Sequence, residues 1–163
     1  MSTSVAIKVQ QDSTIQFTDG DATPNQITVP YVDGAASFDG LNFDQTEPIP
    51  IYSKRTYLGV RRGAARPLTF SFSAYMSEFT SATQTSLLDF VRFAGGSSSN
   101  VSTSSTDYDF STIKVTLTVA QIGNDTSTHT LVLDDCVVDV SFAEGEPSAF
   151  SVSGTAYGSF VLT

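Results

Sequence analysis

Two segments near the end of the chain alternate between apolar and polar residues: TLVLDDCVVDVSF (residues 130–142) and AFSVSGTAYGSFVL (residues 149–162). A period of two predicts a pair of β-strands with one buried face and one wet face. The connecting segment AEGEPS (143–148) contains Gly145 and Pro147, which favour a turn and interrupt a strand. The predicted buried face consists of Val138, Val140, Phe142, Phe150 and Val152. The chain therefore ends in a β-hairpin.

The wet face of this hairpin consists of small hydroxyls and a carboxylate, without the Lys, Arg and Glu that are common on protein surfaces. Its members are Asp139, Ser141, Ser151, Ser153 and Thr155. Such a face would not retain a nucleic acid, because phosphate contacts come mainly from Lys and Arg. The same composition also suits an ordinary solvent-exposed surface. The sequence therefore leaves open whether this face is a surface that must not bind nucleic acid or an ordinary outer surface.

The rest of the chain adds further strands and one helix. The segment LTFSFSAY (68–75) alternates Leu and Phe with Thr and Ser, which predicts a strand. Helical spacing of apolar residues predicts a helix near 82–94, begun by Thr80 or Ser81 and ended by Gly95-Gly96. Shorter alternating segments occur at residues 5–9, 15–17, 27–31 and 113–119. These patterns predict a β-rich domain with one helix.

Residues 41–67 differ in character from the rest of the chain. Pro48 and Pro50 favour an extended backbone, and five of the eight basic side chains fall between Lys54 and Arg66. On a chain with a net charge of −9 this cluster makes a local positive patch. The segment is interpreted either as a solubilising loop or as an arm that docks on an acidic surface, most simply on another copy. The predicted contact residues of the arm are Tyr52, Lys54, Arg55, Tyr57, Arg61, Arg62 and Arg66.

Length and composition set the broad class. A chain of 163 residues fits one domain, residues 1–163, with a substantial core. The negative net charge argues against a general nucleic-acid binder. The single cysteine, Cys136, excludes an intrachain disulfide and is interpreted as a buried core residue. No apolar run approaches the roughly 20 residues that span a bilayer, and the N-terminus lacks the pattern of a signal peptide.

The residue types that carry catalysis are scarce in this sequence. His129 is the only histidine and falls at a predicted strand start, so we interpret it as a structural strand residue. Asp134 and Asp135 are adjacent on a strand and are predicted to point to opposite faces, which does not suit shared proton transfer. Asp107 and Asp109 adjoin a Ser/Thr-rich loop and are interpreted as a solvated pair. We predict no enzyme activity, no cofactor and no metal site.

One acidic turn superficially suggests a calcium loop. It contains Asp19, Asp21 and Asn25, but the Gly and distal Glu of an EF-hand are missing at the required spacing. We interpret these three residues as solvated turn residues.

The order of the segments resembles the tail tube (major tail) protein of tailed bacteriophages, in particular the long, non-contractile type. The resemblance covers roughly residues 25–163. It is carried by the arm ending in RRGAARP (61–67), the strand LTFSFSAY (68–75) and the helix around Leu87–Phe93. The closing segments LVLDDC (131–136), FAEGEP (142–147) and FSVSG (150–154) with Tyr157-Gly158 complete the pattern.

This resemblance implies a fold of two packed, roughly orthogonal antiparallel sheets (a sandwich or half-barrel) with a flanking helix and a long extended loop near 41–67. It implies a structural virion protein whose homo-hexameric rings stack into the tail tube that conducts DNA into the host. The arm then contacts the adjoining ring, and the wet face of the C-terminal hairpin is the candidate lumen face. The implied partners are copies of the chain, the tape measure, the terminator and the distal tail or baseplate. Assembly in the host cytoplasm, a virion location and passage of DNA without specific binding also follow.

Alternatives remain open. One is another ring-forming tail component: a tail terminator, a connector, a baseplate protein or the inner tube of a contractile system. The other is a β-sandwich that binds carbohydrate, for which exposed aromatic residues are expected and Trp is absent.

Overall fold

A computed structural model describes residues 13–32, 46–76, 86–104, 110–119, 128–145 and 148–163. The predicted strand at 5–9, the caps Thr80 and Ser81, and the pair Asp107 and Asp109 lie outside these residues. The helix α1 spans Leu87–Arg92 and precedes one turn of 3-10 helix at Gly95–Ser97. The strands are β1 (Ser13–Thr18), β2 (Gln26–Val29), β3 (Thr46–Ser53), β4 (Thr56–Ala65), β5 (Leu68–Tyr75), β6 (Ile113–Val119), β7 (His129–Ala143), β8 (Ala149–Ala156) and β9 (Phe160–Leu162).

Seven strands form one antiparallel sheet in the order β2-β1-β6-β7-β8-β5, with β9 paired to the first half of β7. The two ends of this order meet, because Tyr31, two residues beyond β2, forms a bridge with Ala74 of β5. The Val32 amide donates a hydrogen bond to the Ser73 carbonyl over 2.7 Å beside this bridge. The sheet therefore curls until its ends join, and alternate residues of each strand face a common interior.

The interior is filled by apolar residues of the alternating segments. The Phe17 ring of β1 lies edge-on to Phe72 of β5, with 6.1 Å between ring centroids, and 6.5 Å from Phe90 of α1. Gly154 of β8 leaves room for the buried Phe70 ring, with which a Cβ at this position would collide. Residues with almost no exposed surface include Ile15, Phe17, Leu68, Phe90, Ile113, Val115, Leu133, Phe150 and Val152. Burial of this apolar surface is the main force that holds the sheet closed.

The predicted fold class, a β-rich α+β protein with antiparallel sheets and one short helix, is confirmed. The sequence predicted a core enclosed between two packed sheets. In the structure, one seven-stranded sheet curls around the core and encloses it. The predicted inward face of the C-terminal hairpin is largely correct, since Val138, Phe150 and Val152 are buried and Val140 is half-buried. Phe142 is 45% exposed because it lies one residue before the end of β7.

The long extended loop predicted near 41–67 needs correction, because residues 46–65 form a β-hairpin. β3 and β4 pair antiparallel with each other and form a separate two-stranded sheet. Most residues of both strands are exposed on both faces. Hydrophobic alternation reports burial of one face, so a hairpin with two wet faces gives no such signal. We call this element the arm hairpin (Thr46–Ala65).

The helix is shorter than the predicted span 82–94. It begins after Ser86, whose hydroxyl accepts a hydrogen bond from the amide three residues on (3.1 Å). It ends at Phe93, which takes the left-handed conformation with φ 52°, so Ala94 lies beyond it. A Ser directly before an apolar run is a strong N-cap, and Phe90 of the resulting single turn and a half packs into the core.

A β-bulge divides the long strand β7. Asp135 has φ 48°, and the pairing with β6 shifts register between Leu133 and Cys136. On the other edge of β7 the segment predicted as one strand (149–162) is split into β8 and β9 at this point. The Tyr157 amide donates to the Asp135 carbonyl over 3.2 Å. The bulge thus fixes where Tyr157 leaves the sheet.

The interpretation of Asp19 as a solvated turn residue is wrong, because its side chain is buried, with 2% of its surface exposed. One carboxylate oxygen accepts hydrogen bonds from the Asn25 amide (2.8 Å), the other from the Asn25 Nδ2 (3.0 Å) and the Val101 amide (3.3 Å). These N–H groups satisfy the acceptor capacity of the carboxylate without a metal ion. Asp19 therefore links the β1–β2 turn to the Ser/Thr-rich segment after α1.

We expect Asp19→Ala to lower the free energy of unfolding by about 2 kcal/mol, because it leaves three N–H groups in part-buried hydrogen bonds without their acceptor. Asp21→Ala is the matched control, since that side chain is exposed, and it should change stability by less than about 0.5 kcal/mol. Urea denaturation of both variants measures the difference. Equal effects of the two substitutions would contradict the structural role of Asp19.

Candidate assembly surfaces

The tip of the arm hairpin is a two-residue turn that carries two cations. Ser53 pairs with Thr56, so only Lys54 and Arg55 connect the strands. Their φ angles of 47° and 69° are both positive, the conformation that Asn-Gly normally occupies in a tight hairpin turn. A non-glycine residue pays roughly 1 kcal/mol or more for this conformation. The sequence thus places its charges at the extreme tip at a cost in local stability.

Apolar side chains stand exposed directly behind the tip. Tyr52 and Tyr57 are cross-strand partners whose ring centroids lie 5.9 Å apart, and they are 61% and 59% exposed. Leu58 and Val60 are 64% and 58% exposed. An isolated two-stranded hairpin is marginally stable in water, and a cluster of large apolar side chains on it is typical of a contact surface. The tip is therefore a candidate contact surface.

The remaining predicted contact residues lie farther down the arm hairpin. Arg61 and Arg62 are adjacent on β4 and exposed, so their side chains leave opposite faces. Arg66, at the base, forms an exposed ion pair with Glu47 over 3.2 Å, which contributes little to stability. The structure therefore spreads the predicted set along the arm hairpin and gathers only the tip residues Tyr52, Lys54, Arg55 and Tyr57.

The five residues predicted for the wet face lie together on the outer side of β7 and β8. Asp139 is the cross-strand partner of Ser153, and Ser141 is the partner of Ser151. Strand β5 extends this face, because its outward residues pair with those of β8. The alternation of β5 was visible in the sequence, but its neighbour in the sheet was not. The complete hydroxyl face comprises Thr69, Ser71, Ser73, Asp139, Ser141, Ser151, Ser153 and Thr155.

A groove of about 550 Å³ borders the hydroxyl face. Phe110 and Tyr157 stand 70% and 67% exposed in it. Val137 lies between the groove and the hydroxyl face, since it lines the concave surfaces on both sides. The carboxylate of Asp135, which accepts a hydrogen bond from the Thr103 hydroxyl over 3.0 Å, also lines the groove. We call this surface the Phe110–Tyr157 groove; sequence reasoning missed it because its residues come from three separate segments.

The residues weighed for catalysis are not brought together. His129 is the exposed first residue of β7, as predicted for a strand start. The simple alternation predicted for Asp134 and Asp135 does not apply, because the left-handed backbone of Asp135 breaks the extended geometry. Asp134 lies 3.9 Å from Lys114. Across the described ranges, no cluster of three or more His, Cys, Asp or Glu residues could hold a metal ion. The helices in these ranges are too short, and too poor in apolar residues, for a membrane-spanning segment.

Cys136 is a buried core residue, as predicted, with no exposed surface. Its thiol lies 3.5 Å from the Leu133 carbonyl. Burial raises the pKa of the Cys136 thiol from 9.0 to about 12, because the thiolate would lose its hydration. A thiol in this environment is a poor nucleophile.

The raised pKa predicts a loss of stability at alkaline pH. The unfolded chain releases the thiol proton near pH 9, whereas the folded chain keeps it until about pH 12. The contribution of the Cys136 thiol to the free energy of unfolding is therefore complete below pH 9. Between pH 9 and about pH 12 it falls by up to about 1.4 kcal/mol per pH unit. Cys136→Ala should lower the free energy of unfolding at pH 7 but should show a shallower decline above pH 9. Parallel declines in the two proteins would contradict the assignment.

The fold and its surfaces define a β-rich α+β protein whose conspicuous features are the exposed apolar and basic side chains of the arm hairpin, the hydroxyl face and the Phe110–Tyr157 groove. No protein-family model matches the chain, and no curated protein sequence matches it. Among solved structures, the fold is similar to the sheath/tube terminator of PVC, an extracellular contractile injection system, determined in the extended state by cryo-EM. The two chains are 13% identical, the TM-score is 0.58, and the likeness covers 99% of each chain. At this identity the likeness concerns the fold.

Proposed function

We propose that the protein is a structural component of a phage-tail-like particle, and that it forms the ring that terminates a tube. It has no enzymatic role in this proposal. The observation that carries the proposal is the arm hairpin, which exposes large apolar side chains and four basic side chains, with a fifth, Arg66, at its base, on a chain otherwise rich in carboxylates. Residues 46–66 hold five basic side chains and one carboxylate, and the rest of the chain holds three basic side chains and sixteen carboxylates. Opposite charges on separate segments of the chain favour association between copies.

The choice of a terminator over a repeating tube subunit is supported by the end-to-end likeness to a sheath/tube terminator. The sequence resemblance pointed first to the tube subunit, which stays the second candidate. Both assign the arm hairpin to contacts between subunits and the hydroxyl face to the lumen. They differ in whether growth stops after one ring. The partners in either case are copies of this chain and other tail proteins, in the assembled particle.

Negative-stain microscopy and mass photometry of the purified chain over a concentration series test the proposal. A terminator should give closed rings of one size that do not elongate as concentration rises. Added to preformed tubes, it should bind only at their ends. Long tubes of the protein alone would establish the tube subunit instead. Monomers at the highest soluble concentration, with no binding to tubes, would reject both.

A further inference from the structure

The Phe110–Tyr157 groove adjoins the base of the arm hairpin of its own chain. Tyr157 lines the groove and also lines a small cleft with Ala65 and Pro67, where the arm hairpin joins the body. The tip lies far from this point, since β4 has ten residues and an extended strand rises about 3.3 Å per residue. The tip of one chain thus lies roughly 30 Å from the base of its arm hairpin, beside which the groove lies, so the tip does not reach its own groove.

The groove and the tip have matching chemistry. The groove exposes two aromatic side chains and the Asp135 carboxylate, and the tip exposes two tyrosines and a leucine beside Lys54 and Arg55. A volume of about 550 Å³ falls within the range of sites that enclose ligand-sized groups. Exposed aromatic anchors with a flanking charge of opposite sign are typical of the centre of an interface.

We infer that the arm tip of one copy docks in the Phe110–Tyr157 groove of a second copy. Tyr52, Tyr57 and Leu58 pack against Phe110 and Tyr157, and the basic turn approaches Asp135. The inference rests on the proposed function, because it names the surface through which copies assemble. It also accounts for the strained turn, since Lys54 and Arg55 occupy left-handed positions where Asn-Gly would be more stable.

A contact between two different surfaces has a consequence for symmetry. When the tip of one copy fills the groove of the next, each copy still has one free tip or one free groove. Where two copies do not exchange tips reciprocally, repetition of such a heterologous contact gives a closed ring or an open helix. Arm-to-groove docking therefore supplies the geometry that a ring requires.

Crosslinking between two differently tagged copies tests the contact. One copy carries Leu58→Cys at the tip, and the other carries Ser104→Cys, which lines the groove and keeps both aromatic side chains intact. A short thiol-specific crosslinker should join the two copies, while the buried Cys136 should not react. The control pairs Leu58→Cys with Gln26→Cys, an exposed residue of β2 on another part of the sheet, and should give no crosslink.

The outcomes separate this inference from the proposed function. Oligomers without the 58–104 crosslink overturn the docking site and leave the ring proposal standing. Equal crosslinking to positions 104 and 26 also overturns it, because it indicates non-specific contact. A chain that stays monomeric overturns both.

Two substitutions measure the energetics of the docking. Tyr157→Ala should weaken association at least tenfold, as expected for an aromatic anchor, whereas Tyr75→Ala, another exposed tyrosine of the sheet, should change it less than about threefold.

Lys54→Asn with Arg55→Gly removes both tip charges and supplies the preferred turn residues. It should weaken association and reduce its salt dependence while leaving the arm hairpin folded. If neither Tyr157→Ala nor the double substitution of Lys54 and Arg55 changes the association constant, the inference is overturned.

Discussion

Replacing residues 47–65 with a short Gly-Ser linker should leave the body folded and abolish ring formation. The described core contains no residue of the arm hairpin, so its removal withdraws no buried apolar surface from the closed sheet. The loss of five exposed apolar side chains, among them Tyr52 and Tyr57, removes the contact surface on which the proposed assembly depends. Thermal unfolding checks the first expectation, and mass photometry checks the second.

A second variant keeps the arm hairpin and reverses two of its positive charges, which tests whether those charges are needed for assembly. Arg61→Glu with Arg62→Glu should leave thermal stability nearly unchanged, because both side chains are exposed. It should stop assembly, because the reversed charges repel the carboxylate-rich body of the next copy. Arg92→Glu, an exposed substitution on α1, is the control and should assemble normally. If the chain in which a Gly-Ser linker replaces residues 47–65 still forms rings, the arm hairpin has no part in assembly.

The part of the fold that the sequence predicted is the part with one buried face. Strands β5, β7 and β8 alternate because their inward residues pack in the core, and the helix was found from its apolar stripe. The arm hairpin was missed as a strand pair because neither of its faces is buried. Closure of the sheet through Tyr31 and Ala74 was also missed, since a single bridge between distant segments leaves no local pattern.

The candidate surfaces divide in the same way. The basic cluster of the arm hairpin and the polar half of the C-terminal strands are visible as runs of residue type. The Phe110–Tyr157 groove was not, because it depends on the bulge at Asp135 that turns Tyr157 out of the sheet. The burial of Asp19 was hidden for a related reason: its partner Val101 is 82 residues away, and no short motif reports a contact at that separation.

A further prediction concerns the hydroxyl face, which we propose lines the lumen of the ring. A wall that passes DNA must not retain it, and each phosphate bound by a cation releases counterions and adds affinity. Asp139→Lys with Ser141→Lys places two cations on every copy, at exposed positions of β7. The variant should form rings as before, since neither side chain is buried.

Linear and closed circular duplex DNA distinguish a lumen from an outer surface. Preformed variant rings should retain linear DNA, which can thread through them, and should fail to retain covalently closed circles, which cannot. Retention should fall steeply as salt rises from roughly 50 to 200 mM, because it depends on counterion release. Thr14→Lys with Gln16→Lys is the matched control on the outward side of β1, and it should bind both DNA forms alike. Equal retention of circles by the Asp139 and Ser141 variant would place the hydroxyl face on the outside, whereas selective threading requires that Asp139 face the passing duplex.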